Sequence, residues 1–274
     1  MKKNNAILLS APYIVWMVVF TLIPLGVVGY YALTDPATGA FSLGNLRDLN
    51  MYWGVLGQSI FYSLVSALIC LLLGYPVAYF IAHQGQLTQK ILYMLVMLPM
   101  CMSFLLRTLA WVGLLQDTGI INDVLEALGL ARVQLIRTPG AVILGMVYNY
   151  LPYMILPLYA TIVKIDHRLI EAAEDLGCTP TNVFAKVVLP LSMPGILSGI
   201  TMVFVPAVST FYISQKLGGT DTVLIGDVIE RMFKQGNNAN LGAALSLVLM
   251  ILVFVCTGIM NRFGGDDEEG GVIV

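Results

Sequence analysis

The chain has 274 residues, of which 58% are hydrophobic and only 11% are charged, and its formal net charge is −2 at pH 7. Soluble domains carry roughly 25% charged residues, so this composition excludes an ordinary soluble domain, and the slightly acidic balance argues against binding to nucleic acid. A transmembrane helix needs about 20 mostly apolar residues, and after several such helices no room is left for a separate soluble domain.

Long runs without Asp, Glu, Lys or Arg mark the candidate membrane helices. We predict six transmembrane helices, near residues 7–33, 57–82, 91–115, 139–163, 194–215 and 238–261. The third contains Arg107, and a charge at the centre of a membrane helix costs roughly 2.5–3.5 kcal/mol. We expect Arg107 to extend outward or to stack on Trp111, with a structural role near the outer rim. The predicted fold class is all-α, a polytopic membrane protein with one transmembrane domain over residues 1–274.

The first predicted helix follows Lys2 and Lys3, which are also typical of a secretory signal. The apolar run is too long for such a signal and no cleavage site of small residues follows it, so we interpret the run as an uncleaved span. Lys2 and Lys3 favour a cytoplasmic N-terminus, although positive charges elsewhere divide almost evenly between the two sides. Six spans would return the C-terminus to the same side.

Two features occur in and before the fourth predicted span. Residues 123–130 follow a turn and cap at residues 117–122 and predict a short outer helix closed by Gly129. The span itself contains Tyr148, Tyr150 and Tyr153, which are candidates to line a transport path. Tyrosines in a span also commonly lie at the membrane interface or in helix packing, and both interpretations stay open.

A polar segment at residues 166–194 separates the fourth and fifth spans. Residues 167–176 predict a helix that ends at Gly177, and Thr179 with Pro180 predicts the cap and first residue of a second helix near residues 180–188. Pro190 and Pro194 would end that helix and start the fifth span. Two helices joined by a tight corner at the membrane surface are suited to binding a partner, and a solvated connector is the alternative.

The polar segment contains Glu171-Ala-Ala-Glu-Asp-Leu-Gly177, and Val187-Val-Leu-Pro190 follows after nine residues. This spacing resembles the EAA loop of binding-protein-dependent ABC importer permeases, with Val187 in place of isoleucine. The resemblance implies a type I ABC importer permease fold, with residues 7–33 as a peripheral helix and residues 57–261 as a five-helix core. It also implies that the second short helix is a coupling helix held in a cleft of an ATPase subunit. Coupling roles then fall to Glu171, Ala172, Ala173, Gly177, Leu189, Pro190 and Phe184, the last as the apolar anchor.

The resemblance extends over most of the chain and is greatest to the first permease subunit of spermidine/putrescine importers. It is carried by segments such as Leu73-Gly-Tyr-Pro-Val-Ala-Tyr79 and Leu189-Pro-Leu-Ser-Met-Pro-Gly195. Such a subunit works with a second permease, two ATPase subunits and an extracytoplasmic binding protein, in the bacterial cytoplasmic membrane with both termini in the cytoplasm. Related permeases for ferric iron, sulfate or other organic solutes share some of these segments, and they are the alternative.

A polyamine path would need carboxylates and aromatic faces for ammonium groups. The carboxylates of Asp221, Asp227 and Glu230 lie in or beside the last predicted outer loop, and Asp227 and Glu230 would share one face of a helix. Ordinary charges of a solvated loop are the alternative interpretation.

Other classes find little support in the sequence. A hydrolase within the membrane needs a nucleophile and base or metal ligands, yet the two histidines, His83 and His167, fall at the predicted inner surface. The four cysteines show no C-x-x-C pairing, so neither a metal site nor a disulfide framework is predicted. No P-loop motif occurs, and we expect a non-catalytic subunit without a cofactor, with ATP bound by the partner ATPases. A non-ABC transporter would need ionisable residues in its spans, and five of the six predicted spans have none.

Overall fold

The computed structural model describes residues 12–35, 39–42, 44–220, 222–234 and 238–264. Within these ranges the chain is all-helical apart from one isolated bridge between Thr34 and Phe41, which confirms the predicted fold class. The helices are α1 (Pro12–Ala32), α2 (Gly44–Asp48), α3 (Trp53–Ala82), α4 (Gln86–Met97), α5 (Phe104–Leu115), α6 (Ile120–Ala127), α7 (Pro139–Ile162), α8 (His167–Asp175), α9 (Pro180–Leu191), α10 (Met193–Val208), α11 (Tyr212–Leu217), α12 (Ile225–Lys234) and α13 (Ala239–Gly264).

Five stretches of the described residues are long and apolar enough to cross a membrane: Pro12–Ala32, Leu49–Ala82, Phe104–Ala127, Pro139–Ile162 and Ala239–Met260. A sixth crossing is obtained if α9 and α10, which are bent by 63° to one another, form one span. The first, second, fourth and sixth predicted helices therefore correspond to observed helices. The beginning of the first predicted helix, residues 7–11, lies outside the described residues.

The prediction of one continuous third helix over residues 91–115 is wrong. Helix α4 ends at Met97, a 3-10 turn covers Leu98–Cys101, and the backbone at Met102 is extended, with ψ at 148°. Pro99 lies in this interruption, where its ring removes a backbone donor and crowds the preceding turn. The chain turns helical again at Phe104, so Arg107 lies in the first turn of a new helix.

The fifth predicted helix, over residues 194–215, is also interrupted. Helix α10 ends at Val208 and α11 begins at Tyr212. The Ser209 hydroxyl donates to the carbonyls of Val205 and Pro206, both at 3.3 Å. A serine that bonds to its own preceding turn competes with the backbone ladder, and Pro206 has already removed one donor from it.

The second short helix of the polar segment is longer than predicted. It was expected to end at Pro190, but α9 continues to Leu191 and the chain bends after it, near the buried Ser192. Residues Phe184–Val188 are wound as a π-helix in which the Leu189 N–H donates to the Phe184 carbonyl. The wider turn of the π-helix changes which backbone N–H and carbonyl groups of the following residues bond to one another. Pro190 lies within the helix although the proline has no N–H to donate.

The chain divides into two compact units, of which one comprises Met1–Gly54 with Val228–Leu252. Within that unit the side-chain amides of Asn45 and Asn240 both donate to the Thr34 carbonyl, at 2.9 and 2.6 Å. Both asparagines and Thr34 are buried, so these bonds satisfy polar groups that would otherwise be costly. They fix the chain where it leaves α1.

The other unit comprises Val55–Asp227 with Val253–Val274, and α7 lies at its centre. Met146, Met154 and Leu158 on α7 are fully buried. Helix α10 packs closely along α7 because Gly195 and Gly199 present no side chain there; a Cβ on Gly195 would lie 2.9 Å from the Pro157 carbonyl oxygen. Small residues four apart are a common means of close packing between membrane helices.

Candidate functional site

The polar segment forms two helices joined by a tight corner, as predicted. Asp166 caps α8 by accepting a hydrogen bond from the Arg168 N–H at 3.0 Å. Gly177 has φ +80°, and after it the Cys178 N–H donates to the Ala173 carbonyl at 3.1 Å. This is the six-residue bond of a Schellman motif, which confirms Gly177 as the terminator of α8. The chain then enters α9 with Thr179 at the cap position and Pro180 as the first helical residue.

The corner is exposed, and its most exposed apolar side chain is Leu176, at 86%. Of the residues with a predicted coupling role, Glu171, Ala172, Gly177 and Pro190 are exposed. Glu171 pairs with His167 across one helical turn, with 3.1 Å between Oε1 and Nδ1. Leu176 is not among the residues with a predicted coupling role, although an apolar residue immediately before a helix-ending glycine is a recognisable signal.

The remaining predicted coupling residues, Ala173, Phe184 and Leu189, are half-buried. The Phe184 ring contacts Tyr75 and Tyr79 of α3 edge-on, with ring centroids 5.5 and 5.8 Å apart. The Tyr75 hydroxyl hydrogen-bonds to the Ser192 hydroxyl, at 2.8 Å, near the bend between α9 and α10. This packing favours a role for Phe184 in joining α9 to α3 over that of an anchor for a partner.

A small cavity of about 200 Å³ lies at the base of the polar segment. Its lining comes from the end of α3, the end of α7 and the two short helices, and it includes the imidazoles of His83 and His167. Among the described residues there is no group of three metal-ligating side chains. The two imidazoles provide hydrogen-bonding groups to this cavity.

The three tyrosines of α7 do not form one open cluster. Tyr150 is buried, and its hydroxyl donates to the Pro206 carbonyl at 3.4 Å. Tyr148 and Tyr153 are 38% and 37% exposed, so they present part of each ring to the surroundings. Trp111 contacts Tyr148 edge-on, with 5.3 Å between ring centroids, and no stacking of Arg107 on Trp111 is found in the described part of the chain.

The three predicted acidic residues do not form one group. Asp227 is 2% exposed, and its Oδ2 accepts a hydrogen bond from the Leu224 N–H at 3.1 Å. A carboxylate that reaches back to the backbone in this way stabilises the start of a helix, here α12. Glu230 forms an ion pair with Lys234, at 2.5 Å, and Asp221 lies outside the described residues.

These features define the class of the protein: a polytopic, all-helical membrane protein that carries a two-helix segment with an exposed corner. Residues 71–264 match the family described as the binding-protein-dependent transport system inner membrane component. The chain belongs to this family.

Individual relatives agree with that membership. The chain is 37% identical over 247 residues to the spermidine/putrescine transport system permease protein PotB of Escherichia coli strain K12, covering 87% of this chain and 90% of that protein. The protein of the same name from Haemophilus influenzae is also 37% identical over 247 residues, which cover 87% of this chain and 86% of the relative. The fold is similar to that of a bacterial ABC transporter involved in the import of the acidic polysaccharide alginate, with a TM-score of 0.75, 20% identity and 96% of each chain covered.

Proposed function

We propose that this chain is one of two membrane permeases of an ABC importer and that it forms, with a second, similar permease, the path for polyamines such as spermidine and putrescine. Its likeness to permeases named for spermidine and putrescine, at 37% identity over 87% of the chain, supports this solute class. An extracytoplasmic binding protein would deliver the polyamine. The subunit would lie in the bacterial cytoplasmic membrane with both termini in the cytoplasm.

The corner at Gly177 is the observation that supports coupling to an ATPase. A helix that ends in a left-handed glycine and is followed at once by a second helix holds Glu171 and Leu176 on an exposed corner. Exposed apolar side chains that are rimmed by polar ones mark sites of interaction with another protein. Two ATPase subunits would bind ATP and hydrolyse it, one of them against this corner. The chain itself would be non-catalytic and without a cofactor.

For the transport path we propose the half-exposed rings of Tyr148 and Tyr153, which can hold an ammonium group by cation–π contact at about 0.5–2 kcal/mol each. Tyr150 would support them from the core. Asp221 and Glu230 stay as candidates for the entrance, whereas the burial and capping bond of Asp227 favour a structural role for that carboxylate.

The decisive experiment measures ATP hydrolysis by the reconstituted complex of both permeases and the ATPase in lipid vesicles, with the binding protein and one solute at a time. We expect spermidine and putrescine to stimulate hydrolysis, and ferric iron and sulfate to leave it at the basal rate. Stimulation by iron or sulfate alone would replace the polyamine by that solute. An ATPase that does not co-purify with this chain would contradict the importer assignment itself.

A further inference from the structure

The short helix α6 and the residue after it expose an apolar stripe. Ile120, Val124 and Leu128 follow one another at intervals of four residues, so they lie along one side of the helix. Their exposed fractions are 63%, 53% and 71%. Large apolar side chains that are exposed together mark a surface that contacts another protein or a membrane.

The charged residues of this part of the chain lie on another side of α6. The Arg132 guanidinium forms ion pairs with Asp123 at 3.3 Å and with Glu126 at 2.6 Å. The buried Asn122 side chain donates to the Val133 carbonyl and accepts from the Val133 N–H, both at 3.0 Å. These contacts hold the following loop against α6, so the apolar stripe belongs to an ordered element.

The turn before α6 sets the depth of the helix in the membrane. Helix α5 ends at Leu115, and the Gly119 N–H already donates to the Gln116 carbonyl at 2.7 Å. A Cβ on Gly119 would lie only 2.8 Å from the Gly113 carbonyl oxygen. The start of α6 therefore lies beside the last turn of α5, and the two helices together form one of the stretches apolar enough to cross a membrane.

The composition of the stripe favours lipid over a protein partner. The binding energy of protein interfaces is concentrated in Trp, Tyr and Arg, and α6 contains none of these residues. The exposed surface of α5 is also aliphatic, with Leu105, Leu106 and Leu109 exposed, so the stripe continues a surface that already belongs to a membrane helix. An amphipathic helix at the edge of a bilayer buries its apolar side at the boundary between headgroups and acyl chains.

We propose that the stripe of Ile120, Val124 and Leu128 lies in the lipid bilayer, at the membrane surface where α5 ends. In the proposed orientation this is the outer surface, and the ion-paired side of α6 faces water. The contact anchors the end of α5, on which Trp111 packs against Tyr148 with 5.3 Å between ring centroids. This role goes beyond the proposed function, because it does not depend on the transported solute.

The test places a spin label on either side of α6 in the complete complex, reconstituted in vesicles of phosphatidylethanolamine and phosphatidylglycerol. Val124→Cys and Asp123→Cys are introduced separately into a chain whose four native cysteines have been replaced, and each is labelled with a nitroxide. Asp123→Cys is the matched control, because it lies one residue away and leaves the Arg132–Glu126 ion pair in place. Oxygen dissolves preferentially in the bilayer and a nickel chelate stays in water. We expect the ratio of oxygen to nickel collisions to be several-fold higher at position 124 than at position 123.

Two results would overturn the proposal. Equal nickel collisions at both positions would place the stripe in water, and their loss at position 124 on addition of the binding protein would make it a docking site for that protein. An immobile label at position 124 that collides with neither reagent would place protein, such as the second permease, over the stripe. None of these measurements uses a solute, so they fail or succeed independently of the ATP hydrolysis that tests the proposed function.

A second variant tests whether the stripe holds α6 in the bilayer. Ile120→Glu adds a carboxylate to the stripe, and a charge among acyl chains is unfavourable. With the label at position 124, we expect nickel collisions to rise several-fold and oxygen collisions to fall, whereas the control Ile120→Leu should change neither. Unchanged collisions in Ile120→Glu would show that apolar contact with lipid does not hold α6 in place.

Discussion

Gly177 shows how one residue can direct the whole polar segment. Its φ of +80° lies in the left-handed region, and no atom comes within 4 Å of the position that a Cβ would occupy. A side chain at this residue would therefore meet no clash. The penalty is confined to the backbone conformation, about 1–2 kcal/mol for most residues and more for a β-branched one.

Gly177→Val is expected to shift the corner and misplace α9, because valine resists the left-handed conformation. We predict normal membrane insertion but at least about fivefold less ATPase subunit recovered with the purified chain, since about 1 kcal/mol changes an equilibrium by that factor. Quantitative co-purification from the assembled complex measures it.

The matched control is Gly129→Val. Gly129 ends α6 with φ +77° and has the same open surroundings. A valine there strains the backbone in the same way, at a residue far from the polar segment in the sequence. Equal ATPase recovery in the two variants would show that backbone strain as such, and not the position of the corner, accounts for the effect.

Among single residues, local chemistry was predictable and burial was not. The left-handed Gly177 follows from its place between a helical pattern and the Thr179-Pro180 start of the next helix. Phe184 and Asp227 are different, because their burial depends on how the chain packs: Phe184 contacts Tyr75, which is far away in the sequence, and Asp227 lies in a helix start whose Ile225 N–H donates to Ser59. Aromatic or acidic character alone does not reveal whether a side chain faces a partner or the core.

At the scale of elements, the contact between α7 and α10 depends on two glycines. A Cβ on Gly199 would lie 2.6 Å from Met154 Sδ, and one on Gly195 would meet both the Thr161 side chain and the Pro157 carbonyl. We predict that Gly195→Val prevents stable folding, because backbone atoms cannot move aside. Thermal unfolding in detergent, followed by size-exclusion chromatography, should show a lower midpoint or no monodisperse protein.

Gly258→Val is the control for that prediction, since Gly258 also lies within a long apolar helix and has no atom within 4 Å of a Cβ position. It should unfold at the wild-type temperature. Gly199→Ala should fall between the two, because the flexible Met154 side chain can shift. A wild-type midpoint for Gly195→Val would contradict the close packing of α7 and α10.

Two contacts connect α9 to α3, and they offer a path for motion from the exposed corner to a membrane helix. The Phe184 ring lies against Tyr75 and Tyr79, and the Tyr75 hydroxyl bonds to Ser192. Aromatic contacts are worth about 0.5–1.5 kcal/mol and such a hydrogen bond about 1 kcal/mol. These values are small beside the energy of assembly, so their loss should affect motion before association.

Phe184→Leu and Tyr75→Phe are therefore predicted to keep ATPase binding while lowering the number of polyamine molecules transported per ATP hydrolysed. Paired uptake and hydrolysis assays on the same vesicles measure that ratio. Tyr93→Phe is a suitable control, because the Tyr93 ring contacts Tyr159 of α7. An unchanged ratio in both test variants would exclude this route of coupling.

The elements themselves were predicted well where hydrophobicity decides and poorly where the backbone is interrupted. Apolar length alone located α1, α3, α7 and α13. The interruptions at residues 98–103 and 209–211 were missed because proline also occurs inside intact helices here, at Pro76, Pro152 and Pro157. Whether a proline bends or breaks a helix depends on which neighbours satisfy the released carbonyl groups, and sequence does not show those neighbours.

At the scale of the whole molecule, the proposed orientation places the polar segment in the cytoplasm and α6 on the outer side. Two single-cysteine variants test this orientation, Thr181→Cys and Ala131→Cys, and both positions are exposed. Each is introduced separately into a chain whose four native cysteines have been replaced: Cys70, Cys101, Cys178 and Cys256. We predict that an impermeant maleimide added to intact cells labels position 131 and leaves position 181 unlabelled until the membrane is opened. Labelling of both positions in intact cells would contradict this topology.

Leu176, the exposed side chain at the corner, has a consequence for how the protein is made. An unassembled subunit displays this leucine together with the half-exposed Leu169 of α8, and apolar groups exposed in this way are what chaperones and proteases bind. The lifetime of the chain in the cell should therefore depend on the supply of its partner. Synthesis of the subunits in fixed proportion would then follow from this exposed apolar corner, because surplus copies are removed before they can accumulate in the membrane.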